Sequence, residues 1–333
     1  MMTKPRRISF ALMAVLLLLV GWLHMSTLLL TALFCSFALR KLSFGKSKLV
    51  GLALFSVAVI GVSVGLYLFV KQAWVAFPKI AETTIPAVVD FAEGRGIDLP
   101  FTDLKSLKTV AMTEANERIA NVPRYASLAV FQLVYLFIGL VVAVSMFLNV
   151  KLRLDDDPSV HRDSLYAHTM GELVRRFQTF YRSFSRVMGA QIFISAINTV
   201  LTGIFLFSAG FKHGAVLTAC TFLCGLLPIV GNLISNTLIV AVGFTLSPKM
   251  ALLALVFLIC IHKLEYFLNS KIIGDRIRNP MWLTLIGILL GEKLMGVPGM
   301  ILAPVVLHYI KVEASRNRLN NPPPVTPEEP DTA

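Results

Sequence analysis

GLLPIVGN, from Gly225 to Asn232, stands in the middle of an apolar run that extends from Gly214 to Leu246. Proline and glycine are poor helix-interior residues. In hydrocarbon every backbone polar group needs a partner, so an irregular break at membrane depth survives only where protein or a water-lined cavity covers it. A break of this kind reads either as a proline kink in an ordinary span or as the tip of a discontinuous helix at a transport site. The rest of the chain bears on the choice.

Of 333 residues, 56% are hydrophobic and 15% charged, and the mean hydropathy is +0.74. Such a composition is too apolar for a soluble globular domain. Several runs reach the roughly 20 residues a spanning helix needs. The expected fold is all-α, a polytopic helical membrane protein with discontinuous or re-entrant helices in its C-terminal third. The net charge of +12 does not point to nucleic acid, because the basic residues cluster at the ends of apolar runs, as the positive-inside rule places them. Cys35, Cys220, Cys224 and Cys260 all lie within apolar runs and read as packing residues; neither disulfides nor a metal is expected. No Ser/His/Asp set, zinc spacing, P-loop or dinucleotide fingerprint occurs, so neither an enzyme nor a cofactor is expected.

Outward from the break, the chain divides as follows. Residues 1–78 carry a hairpin and one further span. A single helix over Ile8–Leu39 would be about 48 Å long, against a hydrocarbon core of about 30 Å. Basic residues flank both ends, so two short spans turning near Gly21–Ser26 fit better. Val50–Phe77 is the next span, closed by Pro78. Residues 79–124 form an external excursion with amphipathic helices over Ala81–Glu93 and Thr102–Asn121, joined by the turn Gly94–Pro100. Residues 125–150 return, and Asp155–Asp157 with Pro158 reads as a solvated loop. Residues 151–188 hold an amphipathic helix over Ser159–Met188. Leu173, Phe177, Phe180, Phe184 and Met188 share its apolar face; Arg175, Thr179, Arg182 and Arg186 lie opposite. Arg175, Arg182 and Arg186 are therefore expected at the anionic membrane surface. Residues 189–310 are the C-terminal membrane core, and 311–333 a disordered cytoplasmic tail.

The run Met281–Ile310 is also broken, at GEKLMGVPG (Gly291–Gly299). If Gly214–Leu246 simply crossed, the basic segment Asn269–Pro280 would fall outside, against the positive-inside rule. If both runs turn back at their breaks, that segment and both termini are cytoplasmic. The second arrangement gives two hairpins whose tips could meet near mid-membrane and offer half-helix ends to a solute. Ionisable residues at such depth are functional candidates: Glu265, beside His262, and Glu292 with Lys293. Each pair also reads as a salt bridge at a helix end. Pro228, Gly231, Asn232, Gly296 and Gly299 shape the backbone of the expected path.

LLPIVGN (Leu226–Asn232), KLEYFLNSKIIGDRIRNP (Lys263–Pro280) and GVPGMILAPVVLHYIK (Gly296–Lys311) resemble the autoinducer-2 exporter (AI-2E) family of bacterial transporters, most strongly over Met188–Lys311. The resemblance implies a multi-pass transporter of the cell inner membrane that moves a small polar solute, autoinducer-2 or a related metabolite. The expected partners are the lipid bilayer, that solute, a coupling ion (proton or sodium) and further copies in a homo-oligomer. Two other readings stay open: a sodium/proton antiporter, and a membrane scaffold acting through its external and amphipathic helices.

Overall fold

A computed structural model describes residues 4–44, 47–96, 122–149, 164–273 and 280–315. Every element among them is an α-helix: α1 (Lys4–Trp22), α2 (Ser26–Leu42), α3 (Lys48–Glu93), α4 (Val122–Leu148), α5 (Leu165–Ser208), α6 (Gly214–Gly225), α7 (Val230–Phe244), α8 (Pro248–Ile273), α9 (Met281–Met295) and α10 (Val297–Ser315). Six of the described helices are long and apolar enough to cross a membrane. Most of their large apolar side chains face outward, as lipid requires. The chain is a polytopic helical membrane protein. Thr102–Asn121, Asp155–Pro158, residues 274–279 of the basic segment Asn269–Pro280 and the tail beyond Ser315 lie outside the described residues.

α1 ends at Trp22 and α2 begins at Ser26, so the run Ile8–Leu39 is two helices joined by a short turn. The two separate: α1 packs on α5, and α2 packs on α4. Gly139 of α4 makes the second packing possible, since an added Cβ would stand 2.8 Å from the Leu28 carbonyl oxygen.

Two helices run longer than the sequence suggests. α3 continues for 46 residues through Pro78 and Pro86, so the apolar run and the helix expected over Ala81–Glu93 are one rod. Its buried face, Ala73, Ala76, Ile80 and Thr84, passes straight across Pro78 at helical spacing. Packing along that face outweighs the roughly 3 kcal/mol a mid-helix proline costs. α5 likewise runs unbroken for 44 residues, joining the amphipathic helix to the following span. Its inward face also differs from the expected one. Arg176 and Thr179 are buried, while Phe177 is 44% exposed. Arg182 and Arg186 are exposed and Arg175 is half-buried.

The reason lies at one end of the bundle. The Arg176 guanidinium donates through Nη1 to Glu313 Oε1 of α10 at 2.9 Å, through Nε to Ser9 Oγ of α1 at 2.9 Å, and through Nη2 to the Arg6 carbonyl at 3.0 Å. Buried charge is tolerated only when paired and hydrogen-bonded, and this arginine meets both conditions. The start of α1, the first half of α5 and the end of α10 therefore meet at one end. The end of α2 joins them, with the Arg40 guanidinium 4.7 Å from the Tyr181 ring centroid. Nearby, Lys48 Nζ of α3 donates to the Leu148 carbonyl of α4 at 2.6 Å. Lys4, Arg6, Arg7, Arg40, Lys41, Arg175, Arg182, Arg186 and Lys311 gather toward this basic end.

Both late apolar runs are broken. α6 and α7 have 12 and 15 residues, about 18 and 22 Å, each short of a bilayer core of about 30 Å. Val216 and Leu217 at the start of α6 share a core cluster with Ile239 and Val242 near the end of α7, so the pair is an antiparallel hairpin. α9 and α10 form a second hairpin, turning at Gly296 with φ +63°. Their axes approach closely because a Cβ on Gly291 or Gly299 would run into the other's carbonyl group.

Candidate functional site

The first tip sits where four helices converge. Leu227 N–H donates to the Cys224 carbonyl at 2.8 Å, and Val230 N–H donates to the Pro228 carbonyl at 2.7 Å. The latter bond closes a γ-turn centred on Ile229, whose φ of 65° and ψ of −60° belong to a rare and strained class. Strain is greater for a β-branched residue. Gly231, the second residue of α7, lies directly against Cys224, where a Cβ would collide with the carbonyl group. Pro228 and Gly231 thus shape backbone.

α5 holds this tip with a row of polar side chains, Gln191, Ser195, Asn198 and Thr202, at i, i+4, i+7 and i+11. Gln191 Nε2 donates to the Gly225 carbonyl at 2.6 Å, and Ser195 Oγ donates to the Phe222 carbonyl at 3.0 Å. These are last-turn carbonyls of α6, which have no partner within the helix. One turn further along α5, Asn198 Nδ2 donates to Glu265 Oε2 of α8 at 3.3 Å. Asn232 Nδ2, from the first turn of α7, donates to the same oxygen at 2.5 Å. His262 Nδ1 stands 4.0 Å from it.

One carboxylate inside the apolar helices is therefore held by amides from two others. It borders a crevice lined by Asn198, Thr202, Thr221, Asn232, Ser235, Asn236, Leu258, Ile261, His262 and Glu265, with a volume of about 10 Å³. Within that lining, Asn198 Oδ1 and Thr202 Oγ1 are buried and have no hydrogen-bond partner among the described residues. A larger open groove of about 510 Å³ runs between α3 and the start of α6. It carries Lys71 and His213 on otherwise largely apolar walls and no carboxylate. The crevice is the better candidate because polar groups from α5, α6, α7 and α8 converge there. Among the described residues, no group of three or more His, Cys, Asp or Glu could hold a metal ion.

Of the residues singled out from the sequence, the structure brings Asn232 and Glu265 together, with Pro228 and Gly231 beside them. Glu292, Lys293, Gly296 and Gly299 belong to the second hairpin, and none of them lines the crevice. Lys293 Nζ lies 3.6 Å from Glu292 Oε2, with side chains 83% and 45% exposed. The second tip packs against the α1–α2 turn instead: Ser26 Oγ donates to the Met295 carbonyl at 3.4 Å, and Gly21 faces the Met295 side chain. Gln191, Ser195, Asn198 and Thr202 escape a reading that looks for charge. Their shared spacing on one face of an apolar helix is the signal that finds them.

With this geometry in place, comparison with known proteins adds two findings. The family model described as "AI-2E family transporter" matches residues 8–315. A Bacillus subtilis (strain 168) protein named "Putative transport protein YdbI" is 28% identical over 193 residues, covering 54% of this chain and 55% of that protein. The matched stretch thus spans about half the length of this relative.

Proposed function

The chain belongs to the AI-2E transporter family, and from that premise we propose that it moves a small polar solute across the bacterial inner membrane through the crevice at Glu265. The observation that carries this reading is the Glu265 carboxylate, held by Asn198 and Asn232 at the tip of a broken helix. A carboxylate at membrane depth is costly and is retained where it serves a solute path. The tip supplies Asn232 from the first turn of α7, so the half-helix hairpin and the charged group act on the same point. The start of α1 and the end of α10 meet at the basic end, and by the positive-inside rule that supports a cytoplasmic reading of this end.

The test is efflux from proteoliposomes loaded with candidate solutes, autoinducer-2 among them. Glu265→Gln keeps the size of the side chain and removes its charge. It is expected to lower flux by tenfold or more while the protein still inserts and purifies normally. Unchanged flux of every solute that the unsubstituted protein carries would place the path elsewhere.

A second reading, cation/proton antiport, is favoured by one observation. Besides Glu265, the crevice offers the unpartnered acceptors Asn198 Oδ1 and Thr202 Oγ1. Oxygen acceptors around a carboxylate suit a hard cation. Flux that ignores both sodium and pH gradients would remove this reading.

A further inference from the structure

The crevice at Glu265 holds about 10 Å³, and a single water molecule already needs about 10–15 Å³. No solute enters it without displacing a wall. Two of its walls are parts of continuous helices, α5 with 44 residues and α8 with 26. The remaining wall is the α6–α7 hairpin, through Thr221, Asn232, Ser235 and Asn236. It is joined by the short connection Leu226–Ile229, and Ile229 sits, at φ 65° and ψ −60°, in a backbone region that is strained for a β-branched residue. Such strain persists only when surrounding contacts hold it in place. Side-chain bonds anchor the tip on both sides of that turn: on the α6 side the Gln191 amide donates to the Gly225 carbonyl at 2.6 Å and the Ser195 hydroxyl to the Phe222 carbonyl at 3.0 Å, and on the α7 side Asn232 donates to Glu265. Gly225 fits this seat because a Cβ there would collide with Ser195 Oγ.

We propose that Gln191 is a positioning residue that latches the α6–α7 tip closed over Glu265, and that the strained Ile229 turn is the spring that opens it when the latch lets go. The closed tip keeps Asn232 on Glu265. Opening withdraws Asn232, exposes the acceptors on α5 and enlarges the crevice. Gln191 itself is not among the residues that line the crevice. Its amide acts through the carbonyl end of α6, and the strain acts through the first turn of α7. This inference rests on the reading of Glu265 as the solute-contacting group, but its test needs no solute.

The test reads access to the crevice directly. A reporter cysteine replaces Ser235, which lines the crevice and is buried, in a full chain whose four native cysteines are changed to alanine. The rate of modification by a small water-soluble thiol reagent is measured on the reconstituted protein. Gln191→Leu removes the latch donor and is expected to speed labelling about 3- to 10-fold, the equivalent of one net hydrogen bond. Ile229→Gly relaxes the spring, because glycine adopts positive φ without penalty, and is expected to slow labelling about tenfold. A structural role for Gln191 alone would not be countered by Ile229→Gly; the double variant is expected to return toward the starting rate. Unchanged labelling in both single variants overturns the proposal. If Gln191→Leu fails to accumulate in the membrane, Ile229→Gly decides alone: slower labelling supports the latch, and equal or faster labelling overturns it. A loss of flux in Glu265→Gln bears on the site and leaves these rates as an independent measure.

Discussion

Arg176 and Glu313, 137 residues apart in the chain, form an ion pair at 2.9 Å whose side chains are 0% and 3% exposed. The same guanidinium also takes in Ser9 and the Arg6 carbonyl. One residue of α5 therefore ties the first helix to the last. Removing one partner of a buried pair leaves the other charge uncompensated and costs about 3–5 kcal/mol, whereas replacing both with apolar residues is often neutral. Glu313→Ala is expected to lower the thermal midpoint of the detergent-solubilised protein sharply. Arg176→Met combined with Glu313→Leu should recover most of the loss. A double-variant loss equal to the sum of the Arg176→Met and Glu313→Leu losses would mean that the pair does not act as a unit.

A second prediction separates the amides from the carboxylate. Asn232 donates to Glu265 at 2.5 Å and Asn198 at 3.3 Å, so Asn232→Ala is expected to reduce flux more than Asn198→Ala. Groups in one hydrogen-bonded network do not contribute additively. In a Glu265→Gln background, Asn232→Ala should therefore have little further effect. Full additivity of the two losses would show that Asn232 and Glu265 act independently.

The glycines give a third, by contrast. Gly61 and Gly65 of α3 have nothing within 4 Å of a built Cβ, while Gly291 and Gly299 meet each other's backbone. Alanine at 61 or 65 should be neutral or stabilising by up to about 1 kcal/mol, the helix-propensity difference. Alanine at 291 or 299 forces the α9–α10 hairpin apart and should lower the thermal midpoint. The comparison is made under one detergent condition.

A fourth prediction concerns sidedness. The antiparallel α6–α7 hairpin returns the chain so that α8 runs from the end opposite the basic cluster back toward it. A cysteine at Lys271, in the last turn of α8, should react with an impermeant reagent from the same side as one at Lys41. A cysteine at Lys212, in the turn before α6, should react from the other side. Labelling of Lys271 and Lys212 from one common side would rule out the folded-back hairpin.

Much of the architecture is legible in the sequence because its causes are local. Proline and glycine inside an apolar run mark the break at Leu226–Ile229, and the excess length of Ile8–Leu39 marks the first hairpin. Glu265 stands out because an acid is rare in such a run. What stays hidden depends on partners distant in the chain. Pro78 fails to end α3 because the buried row Ala73, Ala76, Ile80 and Thr84 continues past it. Arg176 looks like one more surface cation until Glu313 is brought beside it. Gln191 and Ser195 carry no charge, and their role depends on the carbonyl end of α6 arriving opposite them. The second tip shows no motif for its neighbour, since Gly21 and Ser26, which receive it at the α1–α2 turn, are ordinary small residues.

The unbroken course of α5 sets a rule of phase. Arg176 and Asn198 lie on one helix, 22 residues apart, about 33 Å along its axis, and both point inward. Each inserted residue turns everything beyond it by roughly 100°. A single insertion between them would leave the Arg176 anchor in register and swing the Gln191–Thr202 row off the crevice. An insertion of seven, close to two full turns, would restore the angle but raise the row by about 10 Å. Length changes between these two points are thus restricted in a way that neither the anchor nor the crevice imposes alone.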